Sequence, residues 1–333
     1  MSVPSAVLYD DAGLRILDQR RLPQTIVYRE PQRVEDVWDA IQTLSVRGAP
    51  AIGIAAAYGL ALALGPWATD DAPFATRLEQ AAAYLKSARP TAVNLAWACD
   101  RLCARGAQEP SFAALLDEAK RIHDEDRAIC RGIGAQGAAL IEEGMGVLTH
   151  CNAGSLAVSE LGTATAPMYA AHQAGRRFKV FADETRPLYQ GARLTAWELD
   201  QAGIDVALIC DSSAATHMAT GKIQLAIVGT DRVTANGDVV NKIGTLSVAI
   251  ACHHFGIPFY VACPSSTFDP HTATGADVPI EERAAEEVLG DHAASIAVSN
   301  PAFDVTPAAL VSGIITEHGI ARAPLAQSLP ELT

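Results

Sequence analysis

The residues best suited to chemistry in this sequence are a cysteine and an aspartate, each of which follows a short apolar run. Cys151 lies in "VLTHCNAGSLAVSELGTA" (147–164), shortly before a glycine. Asp231 lies in "GTDRVTANGDVVNKIGT" (229–245), just after the apolar run "LAIV". A thiol can attack a substrate, hold a metal, change redox state or simply pack, and a carboxyl can move a proton or cap a turn. The residue types alone leave these roles open.

A third candidate is a basic residue that comes directly before a helix start made of small residues. In "SVRGAPAIGIAAA" (45–57), Arg47 is followed by Gly48, Ala49 and a proline, and then by an alanine-rich run. Proline is well tolerated in a first helical turn, and the free N–H groups and the dipole there favour an anion. The segment is therefore either an ordinary helix start or an anion site that includes Arg47.

Polar and basic side chains follow two further apolar runs. "DETRPLYQGARLTAWEL" (183–199) places Gln190 between two arginines, and Asn241 and Lys242 are predicted to open the helix that follows Asp231. An aspartate at a strand end beside an amide and a lysine can bind a sugar phosphate and move a proton. A capping or turn carboxylate is the ordinary alternative at such a corner.

The elements that must position these residues change character along the chain. After about residue 140, helix-sized segments alternate with short apolar runs: "GVLTHC" (146–151), "FKVFADE" (178–184), "DVALIC" (205–210), "LAIVGTD" (225–231), "PFYVAC" (258–263) and "GIIT" (313–316). This alternation predicts an α/β fold with a mostly parallel sheet that is covered on both faces. Ligands of open α/β sheets bind just beyond the carboxyl ends of the strands, so Cys151 and Asp231 can converge on one crevice.

The earlier part of the chain shows mainly helical periodicity. "RVEDVWDAIQTLSV" (33–46) places its apolar residues on one face, and "FAALLDEAKRIHDEDRAICRGI" (112–133) is a longer amphipathic run. A short strand or hairpin is predicted before the first of these helices. The sequence thus predicts a smaller, mainly helical N-terminal domain over 1–130 with a short β element, followed by an α/β domain over 131–333.

Composition limits the classes of partner. A net charge of −13 argues against non-specific binding to nucleic acid or to an anionic membrane, so an anionic ligand must meet a few local basic residues. The seven cysteines form no CxxC pair and no zinc-type spacing. The N-terminal "MSVPSAVLYDDAG" lacks the pattern of a signal peptide. We therefore expect a cytoplasmic protein with reduced thiols.

Three other patterns have simpler explanations than their first appearance. "APAIGIAAAYGLALALGPWA" (49–68) has the length of a membrane span, but its alanines and glycines favour a buried, closely packed helix. "GIGAQG" (132–137) matches the dinucleotide fingerprint but follows a helix rather than a strand, so no nicotinamide cofactor is expected. The histidines at 253–254 point to different helix faces, and no metal site is expected there.

Taken together, several segments resemble the methylthioribose-1-phosphate isomerases. The segments are "RGAPAIG", "NLAWA", "HCNAG", "ETRPLYQGARLTAWEL", "GTDRV…NGDVVNKIGT", "PIEERAAEEV" and "NPAFDVTP", and the resemblance runs from about residue 5 to 322. The superfamily also contains ribose-1,5-bisphosphate isomerases and regulatory subunits of a translation-initiation exchange factor. Val158 and Ser159 depart slightly from the family pattern, downstream of the cysteine.

The resemblance implies an aldose–ketose isomerase of methionine salvage. Its substrate would be 5-methylthioribose 1-phosphate and its product 5-methylthioribulose 1-phosphate, and it would need no metal, nicotinamide or other cofactor. It also implies a Rossmann-like catalytic domain and a homodimer. Matched position by position, the catalytic pair falls on Cys151 and Asp231. The substrate-binding positions fall on Arg47, Gly48, Ala49, Arg89, Gln190, Asn241 and Lys242.

The implied substrate poses a specific chemical difficulty. Its anomeric oxygen carries phosphate, so an acid must protonate the ring oxygen before hydrogen moves from C2 to C1. We expect Asp231 to be that acid, with a pKa raised by a closed apolar site. Cys151 either shuttles a proton through an enediol or stabilises the opened cationic sugar during a hydride shift. Solvent deuterium in the product would favour the enediol.

The sequence leaves the substrate's C5 group open. The alternatives are isomerases of ribose 1,5-bisphosphate or of 5-deoxyribose 1-phosphate with the same chemistry. A second phosphate at C5 would need extra basic residues, whereas the methylthio group or the methyl group of the deoxy sugar needs an apolar pocket. A non-catalytic regulatory subunit would not require Cys151 and Asp231 together. A redox sensor built on Cys151 would need a resolving cysteine, and none is evident in the sequence.

Overall fold

The computed structural model describes residues 3–65, 72–90, 92–291 and 296–332. The described chain forms two compact units. The first contains Val3–Ala128 and Ser155–Gly162, and the second contains Ile129–Gly154 and Thr163–Thr333. The division of the chain into domains over 1–130 and 131–333 stays a prediction. The sequence carried no sign that the segment after Cys151 packs with the first unit.

The first unit is helical apart from a small antiparallel sheet. Its strands run in the order β1, β2, β3 and are β1 (Val7–Asp10), β2 (Gly13–Leu17) and β3 (Tyr28–Arg29). Its helices are α1 (Val34–Gln42), α2 (Ala49–Ala63), α3 (Phe74–Lys86), α4 (Val93–Gln108) and α5 (Phe112–Gly137), the last turns of α5 belonging to the second unit. "GIGAQG" lies wholly inside α5, so it follows helical residues rather than a strand, as predicted.

Helix α2 is the buried helix predicted for the uncharged stretch, of which residues 66–68 lie outside the described part. Its small residues let neighbours approach closely, since a Cβ on Gly53 would lie 2.9 Å from the carbonyl oxygen of Asn94. The first turns of α2 and α4 therefore lie side by side. Within the described residues, none of the helices is both long and apolar enough to cross a membrane.

A buried histidine joins α2 to α5. His123 Nδ1 lies 3.1 Å from the hydroxyl of Tyr58, and the His123 side chain is 2% exposed. Its Nε2 is buried without a hydrogen-bond partner among the described residues. Burial lowers the pKa of His123 to about 4, because an imidazolium here would be desolvated.

This histidine predicts a loss of stability in acid. The unfolded chain protonates His123 below its ordinary pKa of 6.5, whereas the folded chain resists protonation down to about 4. Stability present at pH 7.5 is therefore lost as the pH falls from 6.5 towards 4, by up to about 3 kcal/mol. Thermal melts of the wild type and His123→Gln at pH 7.5 and 4.5 measure this. The wild type should lose more Tm than the variant, and equal losses would contradict the assignment.

The second unit is built on a seven-stranded sheet with the order β14-β13-β10-β7-β4-β5-β6, parallel except for the β13–β14 pair. The strands of this unit are β4 (Gly146–Thr149), β5 (Lys179–Asp183), β6 (Asp205–Ile209), β7 (Leu225–Val228), β8 (Arg232–Thr234), β9 (Val239–Lys242), β10 (Phe259–Ala262), β11 (Phe268–Asp269), β12 (Phe303–Thr306), β13 (Gly313–Thr316) and β14 (Gly319–Ala321). All six predicted apolar runs are strands of this sheet, and the α/β class with a mostly parallel sheet is confirmed.

The second unit also contains helices and a second, smaller sheet. The helices are α6 (Ala166–Gln173), α7 (Ala196–Gln201), α8 (Ala214–Ala219), α9 (Thr245–Phe255), α10 (Ala285–Leu289) and α11 (Leu325–Ser328). The histidines at 253–254 lie within α9, as predicted. The second sheet has the order β11-β8-β9-β12 and was not predicted. It corrects one expectation, because Asn241 and Lys242 end strand β9 rather than open a helix.

Candidate active site

The topology of the large sheet creates a crevice next to its central strand. From β4, the chain adds β5 and β6 on one side, and β7, β10 and β13 on the other. The connections on the two sides of such a switch point leave in opposite directions, which opens a crevice at the carboxyl ends of the strands. Cys151 follows β4 and Asp231 follows β7, and β4 and β7 pair directly. The structure therefore places both residues at this switch point.

Cys151 is held in an unusual backbone conformation. Its φ is +64°, in the left-handed region that residues with a Cβ rarely adopt. The Cys151 N–H donates to Thr185 Oγ1 at 2.8 Å, and its carbonyl accepts from Thr195 Oγ1 at 2.6 Å. Strain of about 1–3 kcal/mol persists only where surrounding contacts hold the residue in place. These two threonines hold it here, and the Cys151 side chain is half-buried.

Asp231 is joined to the strand that carries Asn241 and Lys242. Its N–H donates to the carbonyl of Val240 at 3.0 Å, at the start of the antiparallel β8–β9 pair. The Asp231 side chain is exposed. The side chain therefore does not lie in a closed site in the protein alone, and a bound ligand would have to cover the carboxyl.

Lys242 is a buried lysine whose charge interacts with both candidate catalytic residues. Its side chain is 7% exposed, and burial lowers the pKa of its ammonium. The negative charges of a Cys151 thiolate and of Asp231 oppose that shift and raise the pKa. Asn241 is also buried, and its Nδ2 donates to Thr245 Oγ1 at 3.0 Å. Cys151, Asp231 and Lys242 thus lie within electrostatic reach of one another.

Gln190 presents a buried acceptor at the same edge of the sheet. The residue after it, Gly191, packs against the end of β5 so closely that a Cβ there would lie 1.7 Å from the carbonyl oxygen of Asp183. The Gln190 side chain is 9% exposed, and its Oε1 is buried with no partner in the part of the chain that the structure describes. A hydroxyl of a ligand is the kind of group that would satisfy this oxygen.

The other four predicted residues lie in the first unit. Arg47 precedes α2, which begins at Ala49 with Gly48 as its N-cap and a proline in the first turn, as predicted. Gly48 has a φ of +89°, and a Cβ there would lie 2.4 Å from the carbonyl oxygen of Ala157, so only glycine fits. Arg89 lies in the connection between α3 and α4 and is half-buried.

An ion pair whose charges change the pKa of Lys242 was not predicted from the sequence. Arg283 Nε donates to Glu287 Oε1 at 2.9 Å. The positive charge of Arg283 lowers the pKa of Lys242, and the negative charge of Glu287 raises it. Both residues lie in "PIEERAAEEV", a segment that had entered only through the family resemblance. Opposite charges four residues apart in the sequence usually form a surface ion pair, which is why the proximity of this pair to Lys242 was not predicted.

A group of three side chains next to Cys151 has the composition of a metal site. His150, Asp183 and Asp211 offer ligand atoms within 4.8 Å of one another. However, the protein already uses most of these atoms. Both ring nitrogens of His150 are hydrogen-bonded, and the two carboxylate oxygens of Asp211 accept backbone N–H groups at 2.7 and 2.8 Å. The geometry therefore fits a hydrogen-bond network better than a metal centre.

The relatives that match this chain over nearly its whole length include two whose names give different substrates. It is 53% identical over 338 residues to the 5-deoxyribose 1-phosphate isomerase of Moorella thermoacetica, a match that covers 98% of this chain and 96% of the relative. It is 52% identical over 341 residues to the methylthioribose-1-phosphate isomerase of Symbiobacterium thermophilum, which covers 98% of this chain and 95% of the relative.

The solved structures that share the fold include two crystal structures at 42% identity. That of 5-methylthioribose 1-phosphate isomerase from Pyrococcus horikoshii superposes with a TM-score of 0.93 at 42% identity, covering 99% of this chain and 96% of that one. That of the translation initiation factor eIF-2B subunit delta from A. fulgidus superposes with a TM-score of 0.91 at 42% identity, covering 99% of both. The sequence profile of the initiation factor 2 subunit family matches residues 45–323. The resemblance found in the sequence is thereby confirmed, and the chain belongs to the initiation factor 2 subunit family.

Proposed function

We propose that this protein is an aldose–ketose isomerase that converts 5-methylthioribose 1-phosphate to 5-methylthioribulose 1-phosphate in methionine salvage. The observation that carries the proposal is the presence of Cys151 and Asp231 at the switch point, both interacting electrostatically with the buried Lys242. The two relatives named as isomerases of 5-substituted ribose 1-phosphates support the same reaction.

In the proposed mechanism, Asp231 donates the proton that opens the ring. The phosphate on the anomeric oxygen prevents spontaneous opening to an aldehyde, so a general acid at the ring oxygen is required. Because Asp231 is exposed without ligand, the bound sugar itself must displace water from the carboxyl and favour its protonated form. Cys151 then acts as hydrogen moves from C2 to C1, either as a proton carrier or as a thiolate beside the opened cation.

Lys242 is the proposed local positive charge for an anionic substrate in this acidic protein. A buried ammonium interacts with phosphate more strongly than an exposed one, because less water screens it. Asn241 and Gln190 are the proposed amide contacts, with the buried Gln190 Oε1 accepting from a sugar hydroxyl. Four residues of the first unit remain proposed substrate-binding residues: Arg47, Gly48, Ala49 and Arg89. The start of α2 supports this, because its N-cap Gly48 has no side chain that could accept from the first N–H groups of the helix.

The lowered pKa of Lys242 predicts where activity declines in alkali. The buried ammonium loses its proton at a lower pH than an ordinary lysine does, so kcat/KM should fall on the alkaline side below pH 10.5. Lys242→Arg keeps the charge to higher pH and should move this decline upward, whatever its effect on the maximum rate. A pH–rate profile from 7 to 10.5 for both proteins measures the shift. An identical alkaline limb would exclude Lys242 as its source.

The substrate is tested by comparing kcat/KM for three sugars: 5-methylthioribose, 5-deoxyribose and ribose bearing a C5 phosphate, each as the 1-phosphate. We expect the methylthio sugar to be turned over best and the bisphosphate worst. Preference for the deoxy sugar would keep the chemistry and change the pathway. Failure to turn over any of the three would overturn the proposal.

A second candidate function is a non-catalytic regulatory subunit of a translation factor. It is favoured by the close structural match to the eIF-2B subunit delta of A. fulgidus. A purely regulatory chain has no need of a strained cysteine opposite an aspartate and a buried lysine, which is why the isomerase is preferred.

We further propose a cytoplasmic homodimer. The seven cysteines, all of which lie in the described part of the chain, form no disulfide, which suits a reducing compartment. Helix α9 leaves Ile250 and Phe255 exposed at 53% and 38%, and apolar side chains of this size are typical of subunit contacts. Light scattering on the purified protein measures the mass, and a monomer at micromolar concentration would contradict the dimer.

A further inference from the structure

We propose that His150 and Asp183 form a buried positioning pair that sets the distance between Cys151 and Lys242. The inference rests on the proposed function, because it assigns the pair to that reaction. His150 directly precedes Cys151 in the chain. Its Nε2 lies 2.8 Å from the carbonyl oxygen of Ile243, the residue that directly follows Lys242. One imidazole therefore ties the cysteine segment to the lysine segment.

Asp183 fixes the orientation of this imidazole. His150 Nδ1 lies 2.9 Å from Asp183 Oδ2, and both side chains are 1% exposed. A carbonyl oxygen can only accept, so Nε2 must donate to Ile243, and the Asp183 carboxyl stabilises the ring orientation that allows it. Burial alone would lower the pKa of His150, but the bond to Asp183 raises it above its ordinary value. Burial raises the pKa of the Asp183 carboxyl to about 6.

The pair contacts Cys151 by a second path. The backbone carbonyl of Asp183 accepts from the hydroxyl of Thr185 at 3.1 Å, and the same Thr185 oxygen accepts the Cys151 N–H. The pair thus holds Cys151 through the preceding residue and through the hydrogen bond to its own backbone. Displacing His150 would disturb the left-handed backbone at Cys151 as well as the Lys242 segment.

The turn after Lys242 packs directly against the imidazole of His150. Gly244 has a φ of +105°, and a Cβ there would lie 2.7 Å from His150 Cε1. Asp304 accepts the Gly244 N–H at 2.8 Å and so fixes the other side of this turn. The lysine segment is therefore clamped between His150 and Asp304, with little freedom to move independently of Cys151.

Two substitutions separate the two bonds of the imidazole. In His150→Gln the amide nitrogen can occupy the place of Nε2 and still donate to Ile243, whereas in His150→Asn it occupies the place of Nδ1 and loses Ile243. We expect His150→Asn to lower kcat about 100-fold, since small displacements of reacting groups cost this much. His150→Gln should retain most of the activity. Equal activities in the two variants, whether high or low, would overturn the proposal.

Asp183→Asn separates positioning from proton transfer. The isosteric amide can donate to Nδ1 and keep Nε2–H directed at Ile243, while it removes the carboxyl proton site. A positioning pair predicts a kcat close to that of the wild type, whereas a proton relay predicts a loss as large as in His150→Asn. If His150→Asn does not fold, Gly244→Ala provides a second test. Its Cβ would lie 2.7 Å from His150 Cε1 and 2.8 Å from Nε2, so it should displace the ring and cause a similar loss of kcat.

A readout that does not depend on turnover keeps this test separate from the proposed function. The Lys242 ammonium favours the Cys151 thiolate, so the pH midpoint for alkylation of Cys151 by iodoacetamide reports their proximity. Mass spectrometry of the Cys151 peptide resolves it from the exposed Cys210. The midpoint should rise in His150→Asn and stay unchanged in His150→Gln. An unchanged midpoint in both would overturn the pair, whereas a lack of turnover in the wild type would overturn only the isomerase.

Discussion

Replacement of Asp231 by asparagine should lower kcat about 1,000-fold, within the range that a lost general acid costs. An amide has nearly the same shape as the carboxyl but cannot deliver a proton to the ring oxygen. The backbone bond from Asp231 to Val240 is retained in the variant, so the β8–β9 pair should remain intact. KM should change little by comparison, because the loss falls on the ring-opening step rather than on binding. Steady-state kinetics with 5-methylthioribose 1-phosphate measure both constants.

Asp205→Asn provides a matched control for this variant. Asp205 is likewise exposed, but it begins β6 at the amino end of the sheet, away from the switch point, where it pairs with Lys179. The same change in charge there should leave kcat within about twofold, since surface ion pairs contribute little. Comparable losses at both positions would show that net charge, rather than acid catalysis, explains the Asp231 result.

Replacement of Cys151 by serine should also lower kcat about 1,000-fold. Serine has the same Cβ as cysteine, so the cost of the left-handed backbone at this position is unchanged. The hydroxyls of the two threonines bond only to backbone atoms of residue 151, and these bonds are kept. The substitution therefore removes the thiol and little else. A serine hydroxyl does not ionise in the pH range of a thiol, so neither a proton carrier nor a stabilising anion remains.

Cys210→Ser is the control for the thiol. Cys210 is exposed and follows β6 at the same edge of the sheet, yet it lies away from the β4–β7 switch point. The Cys210→Ser variant should retain full activity. Near-normal turnover by Cys151→Ser, with Cys210→Ser unchanged, would leave Cys151 with only a packing or backbone role.

The sequence was sufficient to predict the large sheet and the edge where Cys151 and Asp231 meet. Buried parallel strands are continuous apolar runs, and the carboxyl ends of such strands lie at one edge whatever their order. Their adjacency could not be derived in the same way. It depends on β7 pairing with β4 rather than with β6, and strand order is set by packing of the whole sheet.

The small sheet was missed because its strands have two to four residues, and because β8 with β11 and β9 with β12 pair over long sequence separations. "VVNK" ends in an amide and a lysine, which reads as the start of the next helix. The pairing of Asn241 with Asp304 on β12 determines that it is a strand instead. Lys242, the next residue of this strand, is buried, and no local sequence pattern indicates that burial.

The role of the two threonines that hold the backbone of Cys151 could not be predicted from the sequence either. Thr185 and Thr195 lie in a segment more than thirty residues away, and their hydroxyls act on backbone atoms of Cys151 rather than on its side chain. His150 stood beside the cysteine in "HCNAG", but its partners Asp183 and Ile243 come from two other strand ends. Contacts of this kind follow from the tertiary fold.

The most direct test of the isomerase assignment is a carbon-13 NMR spectrum of purified protein incubated with 5-methylthioribose 1-phosphate labelled at C1. The proposed reaction converts the anomeric C1 into a methylene that still bears the phosphate, and a carbonyl appears at C2. We predict that this methylene signal grows with the wild type and is absent with Asp231→Asn and Cys151→Ser over the same time. An anomeric signal that persists, or one replaced by free sugar and inorganic phosphate, would contradict the isomerase.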